Sequence, residues 1–157
     1  MWLRRFALPL AVLALASCGA GREVGADERL AIEQVLAAYA EAMAEAYRAG
    51  DAERVAAVAT GRERQRLEIS IRELADEGRA LRPELRSLTI ESIERAGHTS
   101  VAVNTLEIWD LRVVTLGAEQ LVSESLAQEN RLTYSLIREA GKWRVLSRLL
   151  RTSSAGS

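Results

Sequence analysis

Near Pro83 the hydrophobic pattern of this 157-residue chain changes its period. Upstream of the proline, apolar residues recur at the spacing of amphipathic helices, whereas downstream they form short alternating runs rich in Val, Ile and Thr. Helices followed by antiparallel strands predict an α+β domain in which the helices pack on one face of a curved sheet. This domain is predicted to span residues 28–150 as one unit, because the sequence shows no internal repeat and no second core.

Three helices are predicted upstream of Pro83. Asp51 is placed to cap the second of them, and Thr60 precedes the third. The sequence Arg-Glu-Arg-Gln-Arg at residues 62–66 is interpreted as a solvated face of the third helix. The first helix is predicted over residues 27–49, the second runs to about residue 59, and the third stops between residues 78 and 83.

About four antiparallel strands are predicted downstream of Pro83. Gly97 and Gly141 lie in sequences typical of hairpin turns between neighbouring strands. Residues 116–129 are ambiguous and are interpreted as either a further strand or a loop. The predicted strands cover residues 88–95, 100–115, 131–138 and 142–149.

The strand at residues 100–115 is apolar on both of its faces. One layer of helices covers only one face of a sheet, so the other face, with Leu106 and Ile108, requires a second cover. A protein partner, a second copy of the chain or a folded-back segment at 116–129 would each supply it. The pattern favours a homodimer or a protein partner over an isolated monomer.

The first seventeen residues have the three-part layout of an export signal. Arg4 and Arg5 precede an apolar run at residues 6–16 that is too short to cross a bilayer core, which takes roughly 20 helical residues. The run leads into Leu-Ala-Ser-Cys-Gly at residues 15–19, and this sequence resembles the lipobox of bacterial lipoproteins.

The lipobox resemblance implies cleavage before Cys18, a diacylglycerol on its sulfur and a further acyl chain such as palmitate on its amine. It places the protein in the bacterial cell envelope, and Gly19 in place of aspartate implies the outer membrane, facing the periplasm, if the cell is Gram-negative. Residues 18–27 are then a flexible tether, and residues 151–157 are predicted to be a disordered tail. The alternative is an ordinary signal peptide cleaved near Ala16, which leaves Cys18 as a spare thiol.

The remaining composition argues against several kinds of site. Cys18 is the only cysteine and His98 the only histidine, so neither a disulfide nor a metal site is expected. Because two of the 21 basic residues lie in the signal, 19 remain against 22 acidic ones, and no nucleic-acid partner is expected. No phosphate-binding loop or nucleophile motif indicates a cofactor or a catalytic residue.

Several short motifs resemble a known group of domains. They are Ala-Tyr-Arg-Ala-Gly-Asp at 46–51, Ala-Thr-Gly at 59–61, Glu-Ile-Trp at 107–109, Leu-Thr-Tyr-Ser-Leu-Ile-Arg at 132–138 and Gly-Lys-Trp-Arg-Val at 141–145. Their order resembles the intermembrane-space-type domain of plastid division proteins, which has the nuclear transport factor 2-like cone fold. The resemblance implies a pocket between the long helix and the concave face of the sheet. It also implies an interaction module, although some relatives of the fold are isomerases or dehydratases.

Candidate binding residues on the first helix form one stripe. Tyr39, Met43 and Tyr47 are four residues apart, so their side chains share one face of the helix. Such a stripe usually packs into the core, and in a cone fold it can also form the wall of a ligand pocket.

Glu107 is the candidate acid on the strands, and it shares a strand face with Trp109. If that face is concave, Glu107 is a possible proton carrier in an apolar pocket, with Tyr134 as a hydrogen-bond donor on a neighbouring strand. If the face is convex, Glu107 is solvated or paired with an arginine such as Arg138.

The sequence therefore predicts a lipid-anchored envelope protein whose cone-fold domain binds a protein partner or a small apolar ligand without catalysis. One alternative is a small isomerase or hydrolase of the same fold that uses a pocket carboxylate such as Glu107. Another is a structural envelope component with no ligand. A closed pocket with a desolvated acid would favour the enzyme, whereas the lack of any pocket would favour the structural component.

Overall fold

The computed structural model describes residues 24–154, which form two α-helices, a short 3₁₀ turn and a four-stranded antiparallel sheet. The strands follow one another across the sheet in chain order. The predicted α+β class is confirmed, whereas the export signal and Cys18 lie outside the described residues. The elements are α1 (Ala26–Ala49), the 3₁₀ turn (Ala52–Val55), α2 (Gly61–Asp76), β1 (Arg79–Arg95), β2 (Ser100–Thr115), β3 (Leu121–Glu139) and β4 (Lys142–Ser154).

Helix α1 packs against β1 and β4, on what we call the inner face of the sheet. It begins at Ala26, inside the predicted tether, and acidic Asp27 and Glu28 in its first turn complement the helix dipole. Gly50 ends the helix in the left-handed conformation, with φ of 68°. Its buried stripe consists of Ile32, Leu36, Tyr39, Ala40, Met43, Ala44 and Ala46. Neither α1 nor α2 combines the length and the apolar character that a membrane-crossing helix requires.

The prediction of three helices was wrong, because the second one is only a 3₁₀ turn. Asp51 caps this turn as predicted, since its Oδ1 accepts a backbone N–H at 3.0 Å. The residues that follow pair with β4 instead of continuing a helix. The Val145 N–H donates to the Val58 carbonyl and the Thr60 N–H donates to the Val145 carbonyl, both at 2.9 Å.

Three of the four strands are longer than predicted. β1 begins at Arg79 instead of Leu88, and its position at the edge of the sheet tolerates Pro83. β3 begins at Leu121, so most of the ambiguous segment is strand. β4 continues to Ser154, into the stretch predicted to be a disordered tail. These extra residues have weak strand propensity of their own and are held by pairing with the neighbouring strand.

Asp110 of β2 lies between two bulges, one in each of the neighbouring strands β1 and β3. Arg86 is an extra residue in β1, and Leu126 and Ala127 together face the single residue Asp110. The buried Asp110 carboxylate accepts a hydrogen bond from Arg86 and the Ala127 N–H, the latter at 2.8 Å. The Arg86 guanidinium holds the pKa of Asp110 below its usual value, and the Ala127 N–H adds to this effect. One acid thus fixes both bulges.

The outer face of the sheet, opposite the helices, is mixed in polarity. Leu106 of β2 is half-buried there, and its neighbours across the ladders are Thr89 and Arg131. Residues 116–129 do not fold back over this face, because they lead into and extend β3. The prediction that residues 116–129 cover the outer face is therefore wrong. A homodimer and a protein partner stay predictions.

Candidate functional site

Glu107 lies near the middle of β2, and its side chain is fully buried on the inner face of the sheet. The Tyr134 hydroxyl and the Trp109 indole Nε1 each donate to a different carboxylate oxygen at 2.7 Å. The Thr105 hydroxyl donates to one of these oxygens at 3.3 Å. Of the two alternatives for Glu107, the structure therefore shows the acid on the helix-covered face.

The Tyr134 hydroxyl is engaged by Glu107. Burial raises the pKa of Tyr134 well above its usual value, and the adjacent Glu107 carboxylate raises this pKa further. The phenol is therefore neutral at physiological pH and donates its one proton to Glu107. The Tyr134 hydroxyl therefore has no proton left to donate to a ligand bound nearby.

A second buried carboxylate belongs to Glu63 in the first turn of α2. Arg66 donates to both of its oxygens, from Nε at 2.8 Å and from Nη2 at 2.7 Å. The Tyr39 hydroxyl also donates to Glu63. Arg148 of β4 lies farther away, with its Nε 3.7 Å from Oε1 of Glu63. The interpretation of residues 62–66 as a solvated face was wrong for Glu63, because these contacts draw it into the core.

The two carboxylates are linked by a pair of tyrosines. The rings of Tyr39 and Tyr134 meet edge to face, with centroids 5.9 Å apart and planes inclined by 80°. Burial raises the pKa of Tyr39 above its usual value, while Arg148 opposes and Glu63 reinforces this shift. Both phenols therefore stay protonated, and a polar chain connects α2, α1 and the sheet through the core.

A cavity of about 140 Å³, partly open to solvent, lies beside Glu107, between α1 and the sheet. A site of this size can hold a one-ring molecule, since a cavity of about 150 Å³ accommodates benzene in a protein core. Its apolar walls are Met43, Tyr47, Leu81, Pro83, Trp109, Leu111 and Leu132. Its polar lining consists of Glu107, Asn130 and Arg148.

The structure separates the predicted site residues into two groups. Four of them line the cavity: Met43, Tyr47, Glu107 and Trp109. Tyr39 and Tyr134 are fully buried behind them as core residues. Other candidates lie elsewhere: His98 is exposed in a hairpin turn, and Arg138 stacks over the ring of Trp143 at 4.9 Å. Among residues 24–154 no cluster of three His, Cys, Asp or Glu side chains could hold a metal ion.

Sequence reasoning missed Glu63 and Arg148. Glu63 precedes Leu67 by four residues, so it lies on the apolar face of α2, and that spacing was the available signal. The arginines around Glu63 made the segment resemble an exposed helix face, so this signal was overlooked. Arg148 pairs with Tyr134 across β3 and β4, so its inward direction follows from a register that the sequence does not display.

No protein-family model and no curated protein matches the sequence. Among solved structures, the intermembrane space region of the chloroplast protein ARC6 matches with a TM-score of 0.64 at 15% identity, over 76% of this chain and 92% of that one. A protein from Catenulispora acidiphila in complex with S-DNPA matches with a TM-score of 0.53 at 14% identity, over 80% and 93%. A protein of unknown function from Mycobacterium tuberculosis matches with a TM-score of 0.51 at 18% identity, over 80% and 71%.

These matches show the fold alone. They confirm the predicted resemblance to the intermembrane-space-type domain at the level of architecture. The four-stranded antiparallel sheet with helices on one face is consistent with the nuclear transport factor 2-like cone fold.

Proposed function

We propose that this protein is a non-catalytic binding module for a small, mostly apolar molecule, held at the bacterial envelope by lipid on Cys18. The cavity beside Glu107 is the observation that carries the binding proposal. Its walls are chiefly apolar side chains, and a few polar groups stand among them, which is the usual composition of a ligand site. The S-DNPA complex of the Catenulispora acidiphila protein supports the idea that this fold can hold a small molecule.

The hydrogen bonds of Glu107 favour binding over catalysis. A general base needs a free lone pair in reach of its substrate. Three of the roughly four lone-pair sites of the Glu107 carboxylate already accept hydrogen bonds, from Tyr134 and Trp109 at 2.7 Å and from Thr105 at 3.3 Å, so at most one is open to a substrate. Tyr134 is in turn unavailable as an oxyanion donor, because its hydroxyl proton is hydrogen-bonded to Glu107. The carboxylate therefore acts as a structural acceptor in the wall of the cavity.

One observation keeps an isomerase or hydrolase as the second candidate. Glu107 is a buried acid that borders the cavity. A carboxylate in an apolar wall is the type of group that enzymes use for proton transfer. Turnover that is lost in Glu107→Gln while ligand affinity is retained would favour this candidate over the binding module.

A cavity-filling variant tests the binding proposal. In the full chain, reconstituted in phosphatidylcholine nanodiscs, we expect cyclohexanecarboxamide and cyclohexanecarboxylate to change the tryptophan fluorescence through Trp109, which lines the cavity, while Trp143 lies outside it. Leu111→Phe narrows the cavity and should weaken binding by roughly tenfold, equivalent to about 1.4 kcal/mol. Leu121→Phe is the control, because Leu121 is 59% exposed and lies outside the cavity. Equal binding by both variants, or no binding by the wild type, would contradict the proposal.

Mass spectrometry of the amino terminus tests the proposed anchor. After expression of the full chain in a Gram-negative host, the mature protein should begin at Cys18 and carry the added mass of its acyl chains. Cys18→Ser should lose this mass and keep the uncleaved signal, because the processing step requires the lipidated thiol. An unmodified amino terminus at any other residue of the wild-type chain would refute the anchor.

A further inference from the structure

Arg148 places a cation in the wall of the cavity. It lies on β4, opposite Tyr134 of β3, so its side chain points to the inner face of the sheet. That side chain is only 18% exposed, and it lines the cavity together with Glu107. A guanidinium in such a mostly apolar site carries five N–H donors that need acceptors.

Within the described residues the protein gives these donors no hydrogen-bond acceptor, and solvent reaches them instead. Within residues 24–154, the salt bridge of Arg148 to Glu63 at 3.7 Å is the sole ion pair that it forms, and this distance exceeds a hydrogen bond. Glu63 is already held by both nitrogens of the Arg66 fork and by the Tyr39 hydroxyl. Glu63 therefore lies close enough to orient the Arg148 guanidinium but does not saturate it.

We infer that the cavity binds a compact carboxylate, with the ligand carboxylate on Arg148 and its apolar body against the surrounding walls. This inference rests on the proposed function, because it names the ligand class for the same cavity. A planar guanidinium matches a carboxylate with two parallel hydrogen bonds, which are stronger than hydrogen bonds between neutral groups. The volume of about 140 Å³ limits the body to about one ring.

The two charged groups of the cavity have different unmet needs, and this difference selects an anion. Glu107 already accepts three hydrogen bonds, from Tyr134, Trp109 and Thr105. Arg148 donates no hydrogen bond to any residue in the described part of the chain. A cationic ligand would leave the guanidinium unpaired and add a like charge beside it. A carboxylate supplies the acceptors that are missing, and the like charge that it meets on Glu107 is already stabilised by three donors.

Two probes of nearly equal shape separate the contribution of ligand charge to the affinity from the contribution of the apolar walls. Cyclohexanecarboxylate and cyclohexanecarboxamide are titrated into the full chain in phosphatidylcholine nanodiscs, with the ligand-dependent change in tryptophan fluorescence as the readout. The carboxylate should bind roughly 10- to 100-fold more tightly than the amide, as expected for hydrogen bonds to a charged group. Arg148→Met should remove this preference and retain amide binding, and Arg148→Lys should keep part of it because the charge remains.

Arg151→Met is the matched control. Arg151 lies on the same strand, is exposed and pairs with Glu91, so its loss removes an equal charge without touching the cavity. It should leave the preference for the carboxylate unchanged. If the wild type binds both probes equally, the inference fails and the proposed function stands. If it binds neither probe, the proposed function fails as well. If Arg148→Met does not fold, the ratio of the two affinities in the wild type still tests whether the cavity prefers a carboxylate.

Discussion

Replacing Glu63 with alanine should lower the free energy of unfolding by about 3–5 kcal/mol, the cost expected when one partner of a buried charge network is removed. The loss leaves the Arg66 fork and the Tyr39 hydroxyl without their acceptor. It also removes the only carboxylate within ion-pair distance of Arg148 among the described residues. Urea denaturation of wild type and variant, followed by circular dichroism, measures the difference.

Glu68→Ala is the control on the same helix. Glu68 forms an exposed pair with Arg72 at 2.6 Å, and exposed pairs of this kind contribute about 0–1 kcal/mol. A variant Glu63→Gln keeps one acceptor oxygen for Tyr39 and should fall between wild type and Glu63→Ala. Equal stability of the Glu63→Ala and Glu68→Ala proteins would show that the buried network does not hold α2 in place.

The importance of Glu63 follows from the elements that it joins. Tyr39 belongs to α1, Glu63 and Arg66 to α2, and Arg148 to β4. Because α2 buries only Glu63 and Leu67, this carboxylate is a large part of what fixes the helix against the rest of the domain. The position of the Arg148 guanidinium in the cavity then depends on the docking of α2.

Strand β2 was predictable because its own sequence defines it. The predicted range of residues 100–115 matches the structure, since alternating Val, Thr and Trp residues run between two glycine-containing turns. The first half of β1 was not predictable in the same way. Residues 79–87 include three arginines and Pro83 with little alternation, and they become a strand only because β2 offers a long partner.

The candidate site was predictable only in part. Alternation along β2 brought Glu107 and Trp109 to one face, which is correct, but two apolar faces made it impossible to say which one the helices cover. The helix spacing correctly grouped Met43 with Tyr47. The inward direction of Arg148 depends on the bulge in β4 after Val145, and a bulge of that kind leaves no clear mark in a single sequence.

Replacing Glu107 with alanine should destabilise the protein by about 2–6 kcal/mol, because each of two buried donors left without an acceptor costs about 1–3 kcal/mol. The stranded donors are the Tyr134 hydroxyl and the Trp109 indole. Urea denaturation gives the magnitude. The free indole should also report the change directly, since the Trp109 emission shifts when its hydrogen bond to Glu107 is lost.

The variant Glu107→Gln tests whether this carboxylate is a structural acceptor. Glutamine has one acceptor oxygen and one NH₂ group, so its NH₂ must face either the Tyr134 hydroxyl or the Trp109 indole, both of which donate to Glu107. A structural acceptor therefore predicts a loss of about 1–3 kcal/mol for Glu107→Gln. Glu124→Ala is the control, because Glu124 is an exposed strand residue paired with Arg112 at 2.6 Å, and it should change stability by less than about 1 kcal/mol. Unchanged stability in Glu107→Gln would thus overturn the structural role and with it the main argument for a non-catalytic cavity.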